Sequence, residues 1–278
     1  MTVLELLQST TAYFKKRGVE SPRLNAEHLL AHILKRKRIE LYLEFERPLA
    51  ETELAPLREL VRRRGQGEPL QHLLGTVEFA GRTFLCDKRA LVPRPETEQL
   101  AEFLKSEIRN PKSEILDVGT GSGVIALSLA ANFPEATVTA TDISEDALAL
   151  ARENADRLGL TNRVEFLTGD LLLYVTHVYD LIVANLPYVA AADRAVLSRE
   201  VQHDPEVALF GGERGDEMVR KLIDAARSHL APGGLLALEV GLGQADDLTA
   251  LMAEKNYHDI KTERDYGGLI RFLFGRYG

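Results

Sequence analysis

The 278-residue chain holds 45% hydrophobic and 27% charged residues, a globular composition that excludes a disordered chain, a collagen-like repeat and a coiled coil. Its formal charge of −8 is uneven, +4 over residues 1–90 and −12 over residues 91–278, so the larger part lacks the basic surface that grips nucleic-acid phosphates. The single cysteine, Cys86, excludes an internal disulfide and a zinc site built on several thiolates.

No apolar run approaches the roughly 20 residues that span a bilayer. Met1 to Gln8, with its Glu5, reads as neither a signal nor a transit peptide. A cytoplasmic protein without a membrane partner is expected. Leu4, Leu7, Tyr13 and Phe14, then Leu24, Leu29, Leu30, Ile33 and Leu34, recur at helical spacing. Ser21-Pro22 breaks the chain between them, and Leu54, Leu57, Leu60 and Val61 mark a further helix ending near Gly65 and Gly67. A small helical domain is therefore predicted over residues 1–74. Its basic runs, Lys35 to Arg38 and Arg62 to Arg64, are solvated helix faces or contacts to an acidic or RNA-bearing partner. His28 and His32 stand i, i+4 without the glutamate of a metalloprotease motif, so a helix face is expected there and no metal site.

Residues 75–95 change character. Ala80-Gly81-Arg82 between Val77, Phe79 and Phe84 predicts a hairpin, read here as a linker. Pro93-Arg94-Pro95-Glu96-Thr97-Glu98 then opens a helix running to about Ile108. A second domain is read over residues 96–278, in which strand and helix alternate from residue 114. Strands are predicted at 115–118, 137–141, 164–167, 180–184 and 235–240, with helices at 124–132, 145–157, 218–229 and 246–255. Pro232-Gly233-Gly234 reads as a turn, and Ile260 and Ile270 to Phe274 as a closing antiparallel pair. This pattern argues for an α/β fold, a doubly wound sheet with helices on both faces.

Asp117-Val118-Gly119-Thr120-Gly121-Ser122-Gly123 follows a strand and opens a helix, where glycines let backbone approach a ligand closely. Val124 stands where a dinucleotide fingerprint needs its third glycine, and no Gly-Lys-Ser/Thr follows. Asp142 ends the second strand and can accept both ribose hydroxyls of an adenosine. Asp170 ends the third, where a carboxylate can accept from an adenine amine. The set resembles the Rossmann-like class I fold of S-adenosylmethionine-dependent methyltransferases.

Asn185-Leu186-Pro187-Tyr188 follows the fourth strand. A planar amide or amine nitrogen is a weak nucleophile because its lone pair is delocalised. Two acceptors holding both N–H hydrogens orient it and favour localisation of that pair as a C–N bond forms. Asn185 offers its side-chain oxygen and Leu186 its carbonyl. Pro187 stiffens the loop, and Tyr188 offers a face or a hydroxyl. The tetrad resembles the Asn-Pro-Pro-Tyr signature of methyltransferases acting on exocyclic amines and glutamine amides. It also resembles the loop of the ribosomal RNA adenine dimethyltransferases.

Gly67 to Gly75, Glu78-Phe79, Val92 to Glu98, Asp117 to Gly123, Asp142, Asn185 to Tyr188, Ala208 to Gly212 and Gly233-Gly234 together resemble the HemK/PrmC family, over nearly the whole chain. The resemblance implies S-adenosylmethionine as cofactor, S-adenosylhomocysteine as product, and methylation of the N5 amide of the Gly-Gly-Gln glutamine in peptide chain release factors. It implies Asp117, Gly119, Thr120, Gly121, Ser122, Gly123, Asp142, Asp170, Leu171 and Asn185 at the cofactor. It places Asn185, Leu186, Pro187 and Tyr188 at the acceptor, with Phe79 and Arg94 at the pocket mouth. It assigns the helical domain to docking the release factor. A monomer without stable nucleic acid is expected. Leu186 for proline, Leu171 for an aromatic residue and Asp216 for an apolar one depart from the family pattern. The competing readings are an adenine-N6 methyltransferase of ribosomal RNA and a non-catalytic module that keeps the fold.

Overall fold

The computed structural model describes residues 1–278, which divide into two compact units. The first comprises Met1–Thr76 together with Ser198–His203. It contains α1 (Val3–Arg17), α2 (Pro22–Leu34), a 3-10 turn (Arg38–Leu43), α3 (Glu51–Gly65) and the short α4 (Leu70–Leu74). Thr2 and Glu5 exchange bonds across the start of α1, at 3.3 and 2.8 Å, satisfying two orphan N–H groups. Val3, Leu7, Phe14, Leu29, Leu30, Leu41 and Leu57 form its core.

The basic runs of this unit are largely neutralised within it. Arg62 pairs with Glu59 at 2.6 Å and Arg63 with Glu68 at 2.5 Å. Arg36 pairs with Glu44 and Arg38 with Glu27, at 3.6 and 3.5 Å. Arg64 is buried and bonds Asn25 Oδ1 and Glu200 Oε2, both at 2.7 Å, which fixes the 198–203 segment. His28 lies beside Arg38.

The second unit comprises Val77–Leu197 and Asp204–Gly278. The hairpin β1 (Thr76–Phe79) and β2 (Arg82–Leu85) turns through Ala80 and Gly81 at φ 48° and 73°, the left-handed pair of a tight hairpin turn. It is no linker. Phe79 and Phe84 are fully buried and pack edge-to-face in the core of this unit. Cys86 beside them is buried, and enclosure with Asp204 and Asp87 nearby pushes its thiol up to about 12, so it is a packing residue.

After α5 (Pro95–Glu107) come β3 (Glu114–Val118), α6 (Val124–Asn132), β4 (Thr137–Asp142), α7 (Glu145–Arg157), β5 (Val164–Thr168) and β6 (Tyr179–Asn185). A minor two-stranded parallel sheet, β7 (Val189–Ala190) with β8 (Phe210–Gly212), encloses 3-10 turns and precedes α8 (Glu217–Ala226). Then follow β9 (Leu230–Glu239), α9 (Ala245–Glu254), β10 (Tyr257–Arg264) and β11 (Ile270–Tyr277). Pro232-Gly233-Gly234 is not a separating turn. It lies inside β9, where the register against β6 shifts between Tyr179 and Leu181, a bulge that absorbs the extra residues.

The main sheet has the order β10-β11-β9-β6-β3-β4-β5. β5, β4, β3, β6 and β9 are parallel, and β11 runs antiparallel to β9 and β10. Alternate side chains enter opposite cores. Ile115, Val138, Leu181, Val183 and Phe272 pack with α5 and α6, whereas Leu116, Val118, Ile182, Leu236 and Leu273 pack with α8 and α9. Burial on both faces explains why these strands read as continuous apolar runs. The strand order reverses between β3 and β6, whose following helices α6 and α8 pack on opposite faces, so a crevice lies outside their carboxyl ends, the position where open α/β sheets bind ligands.

Candidate active site

A cleft of about 260 Å³ opens at that switch point, concave and lined by both apolar and polar groups, as small-molecule sites are. Its walls include Gly119, Thr120, Gly121 and Ser122 after β3, Asp142 and Ile143 after β4, Gly169, Asp170 and Leu171 after β5, and Asn185, Leu186 and Pro187 after β6. Four consecutive strand ends therefore bring most of the sequence-predicted residues together.

Gly119, Gly121 and Gly123 take φ of 73°, 57° and 84°, the left-handed region that side chains disfavour. Asp142 ties this loop to α7: its Oδ2 accepts from the Gly121 N–H at 2.8 Å and its Oδ1 from the Ser144 N–H at 2.9 Å. Burial raises its carboxyl above the ordinary range, although these N–H bonds oppose that. The Ile143 N–H is a third backbone partner of this carboxylate, which lines the cleft and has acceptor capacity left for a ribose hydroxyl. Asp170 is exposed at the rim, and Leu171 adopts φ 53°. The donor set fits an adenosine-bearing cofactor without a pyrophosphate.

Five expected site residues stand elsewhere. Asp117 is wholly enclosed and lies off the cleft wall. Its Oδ2 accepts from Thr120 Oγ1 at 2.7 Å and from the Ala126 N–H at 3.0 Å, so it shapes the glycine loop and caps α6. Burial pushes its carboxyl up to about 7. Gly123 is the buried N-cap of α6. Phe79 belongs to the hydrophobic core. Arg94 donates to buried Asp204 at 2.6 Å, and the other Asp204 oxygen accepts from the Val92 N–H at 3.1 Å. Arg94 thus fastens the 92–94 segment to the segment that carries Pro205. Tyr188 points its hydroxyl to Arg271, 2.8 Å away, and stacks its ring under that guanidinium at 4.9 Å.

Three residues without a sequence-derived role stand behind Asn185. Asn185 Nδ2 donates to Thr97 Oγ1 at 2.8 Å, and Thr97 Oγ1 donates to Glu239 Oε2 at 2.8 Å. Arg271 stands 3.8 Å from Glu239. Thr97 lies in the quoted Pro-Arg-Pro-Glu-Thr-Glu run, and Glu239 is an acid closing an apolar strand, a signal that was available. Leu186 is buried and packs its Cδ2 toward Gly119, so its side chain fills space between the two loops. Gly211 is required beneath, because a Cβ there would overlap the Pro187 and Gly215 carbonyl oxygens. Asp216 is buried and bonds Arg220 Nε at 2.6 Å.

A family model described as the PrmC N-terminal domain matches residues 5–75, and one described as a methyltransferase small domain matches residues 95–213. A release factor glutamine methyltransferase of Deinococcus radiodurans is 42% identical, covering 99% of both chains. The chain belongs to the release factor glutamine methyltransferase family. A second such relative, from Chlorobaculum tepidum, is 40% identical over 98% of this chain and 96% of its own length. Among solved structures, a methyltransferase from Pyrococcus furiosus is similar with a TM-score of 0.54 at 25% identity, over 70% of this chain and 88% of that one. Family membership gives the tetrad's leucine a context. The loop after β6 keeps the asparagine, second proline and tyrosine of the signature, and the backbone carbonyl of residue 186 is present whichever side chain stands there.

Proposed function

We infer that this chain transfers a methyl group from S-adenosylmethionine to the N5 amide nitrogen of the glutamine in the Gly-Gly-Gln motif of peptide chain release factors. The observation that carries the reading is the acceptor end of the cleft. Asn185 Nδ2 is engaged by Thr97, which leaves Oδ1 to receive an N–H, with the Leu186 carbonyl beside it. The names of the full-length relatives support the same acceptor.

When bound, the sulfonium cofactor supplies an electrophilic methyl group. The residues of the chain do the rest by holding and orienting. Gly119 to Ser122 pass their backbone close to the cofactor's amino-acid end. Asp142 accepts from the ribose hydroxyls, and Asp170 and Leu171 meet the adenine. Asn185 Oδ1 and the Leu186 carbonyl accept the two amide hydrogens and aim the nitrogen. One of those protons leaves to solvent as the C–N bond forms. The contribution is positioning and electrostatics, not proton abstraction by a side-chain base.

The helical unit docks the release factor in this reading. The enzyme acts in the cytoplasm as a monomer without a stable nucleic-acid partner. The internal pairing of Arg36, Arg38, Arg62, Arg63 and Arg64 supports that last point. No helix is long and apolar enough to cross a membrane.

The test is methyl transfer from labelled S-adenosylmethionine to a purified release factor, to its Gly-Gly-Gln→Gly-Gly-Ala variant, and to ribosomal RNA. Label on the intact release factor alone is expected. Label on RNA alone would overturn the reading in favour of adenine methylation.

A further inference from the structure

An asparagine side chain has two ends of opposite hydrogen-bonding character and nearly equal shape. Only Oδ1 can receive an N–H from an acceptor amide, and a half-turn of the Asn185 amide would present Nδ2 in its place. Something must hold the useful orientation. The following argument rests on Asn185 as the residue that receives the acceptor nitrogen.

Asn185 ends β6 and Glu239 ends β9, and the two are register partners across adjacent parallel strands. Thr97, in the first turn of α5, stands between their side chains. Thr97 is 4% and Glu239 1% exposed, so water does not compete for these bonds. A hydroxyl has one hydrogen, and an ionised carboxylate can only accept. Glu239 therefore takes the Thr97 hydrogen, and Thr97 is left with lone pairs alone toward Asn185. Those lone pairs accept from Nδ2 and would be repelled by Oδ1. The direction of the whole chain is set at its far end. Glu239 Oε1 has no hydrogen bond, so Thr97 is the carboxylate's one hydrogen-bond donor, while Arg271 supplies the countercharge.

We propose that Thr97 and Glu239 are positioning residues that set the polarity of the Asn185 amide, so that Oδ1 and not Nδ2 meets the acceptor nitrogen. The charged surroundings of Glu239 make this polarity sensitive to pH. Burial pushes its carboxyl up to about 7; the Thr97 bond, Arg271 and Arg94 pull it down, and Glu96 pushes it up. The Tyr188 phenol also faces it, itself raised by burial. A protonated Glu239 donates to Thr97, whose own hydrogen then turns to Asn185 and favours the reversed amide. Turnover rises with pH through this range.

Steady-state kinetics on the full chain test the relay. Thr97→Val, which keeps the shape without the hydroxyl, is expected to lower kcat by roughly 10- to 100-fold, with KM for the release factor and cofactor Kd nearly unchanged. Thr97→Ser is expected to restore most of kcat. The rise of kcat through about pH 7 should vanish in Thr97→Val and in Glu239→Gln. Thr97→Val turnover equal to the parent, or a persisting pH limb in it, overturns the proposal. The Asn185 side-chain amide resonance, identified by its loss in Asn185→Ala, gives a readout independent of any acceptor. It should titrate in the parent and in Thr97→Ser but not in Thr97→Val, and a parent resonance indifferent to pH overturns the relay. A parent enzyme that labels no release factor while this resonance titrates would refute the substrate and leave the relay standing.

Discussion

Gly119 and Leu186 bring the glycine loop after β3 and the loop after β6 close together. A Cβ placed on Gly119 would lie 2.9 Å from Leu186 Cδ2, closer than carbon atoms pack. Gly119 also sits at φ 73°, which costs an alanine about 1–2 kcal/mol. Gly119→Ala is therefore expected to destabilise the unit by that strain plus the clash. Leu186→Ala alone leaves a cavity in a buried position. The double variant removes the clash, so its loss of stability should be smaller than the sum of the two single losses. Urea denaturation of the four proteins checks this, and strict additivity would show that the loops are independent.

Asn185→Ala removes the side-chain acceptor while leaving β6 and the Leu186 carbonyl in place. Asn185 lies on the cleft wall with Asp142 on a different strand end, so the cofactor should bind nearly as before. Turnover should fall by roughly 100-fold or more, as when one aimed acceptor or donor is removed from a preorganised site. Calorimetric titration of S-adenosylmethionine and single-turnover methyl transfer separate the two effects. A variant with unimpaired turnover would remove Asn185 from its role.

Much of this site was legible because strand ends are local in sequence. The apolar runs Ile115-Leu116, Leu181 to Ala184 and Leu235 to Leu238 announce strands buried on both faces, and the first two are followed by loops that line the cleft. Thr97 and Glu239 escaped assignment because their partnership spans 142 positions in the chain and depends on the register of β6 with β9. Asp117 was read as a cofactor residue, and the structure shows its bonds to Thr120 and to the Ala126 N–H. A carboxylate beside a glycine loop has the same local pattern whether it meets a ligand or caps the next helix. The Leu230–Glu239 strand hid its bulge at Pro232 to Gly234 because a bulge and a turn share composition. The 3-10 turns between Ala191 and Ala208 have no periodicity from which to be read.

Asp117 gives a pH dependence of defined sign. Its folded-state carboxyl is raised to about 7 by burial, against an ordinary value near 4 in the unfolded chain. Between these values the folded state binds more protons than the unfolded state. Its contribution to stability therefore declines as pH rises from about 4 to 7. Glu239 acts with the same sign, so the informative comparison is between variants. Asp117→Asn should show a shallower fall in unfolding free energy from pH 5 to pH 8 than the parent does. Equal slopes would mean that Asp117 does not hold its proton in the folded chain.

Asp142 is expected to carry cofactor affinity by two routes at once. Its carboxylate can accept from ribose hydroxyls, and the same two oxygens hold the Gly121 and Ser144 N–H groups. Asp142→Ala removes both functions. The loss of one charge-assisted hydrogen bond corresponds to about 1.5 to 3 kcal/mol, or roughly 10- to 150-fold in Kd, and a loosened glycine loop adds to it. Asp142→Asn keeps one oxygen, enough for one of the two N–H groups, and replaces the other acceptor with a donor. Its affinity should fall between those of the parent and the alanine variant. Titration calorimetry with S-adenosylmethionine orders the three proteins. If the asparagine variant binds as weakly as alanine, the loop tether outweighs the ribose contact. If the alanine variant binds like the parent, Asp142 is not at the cofactor.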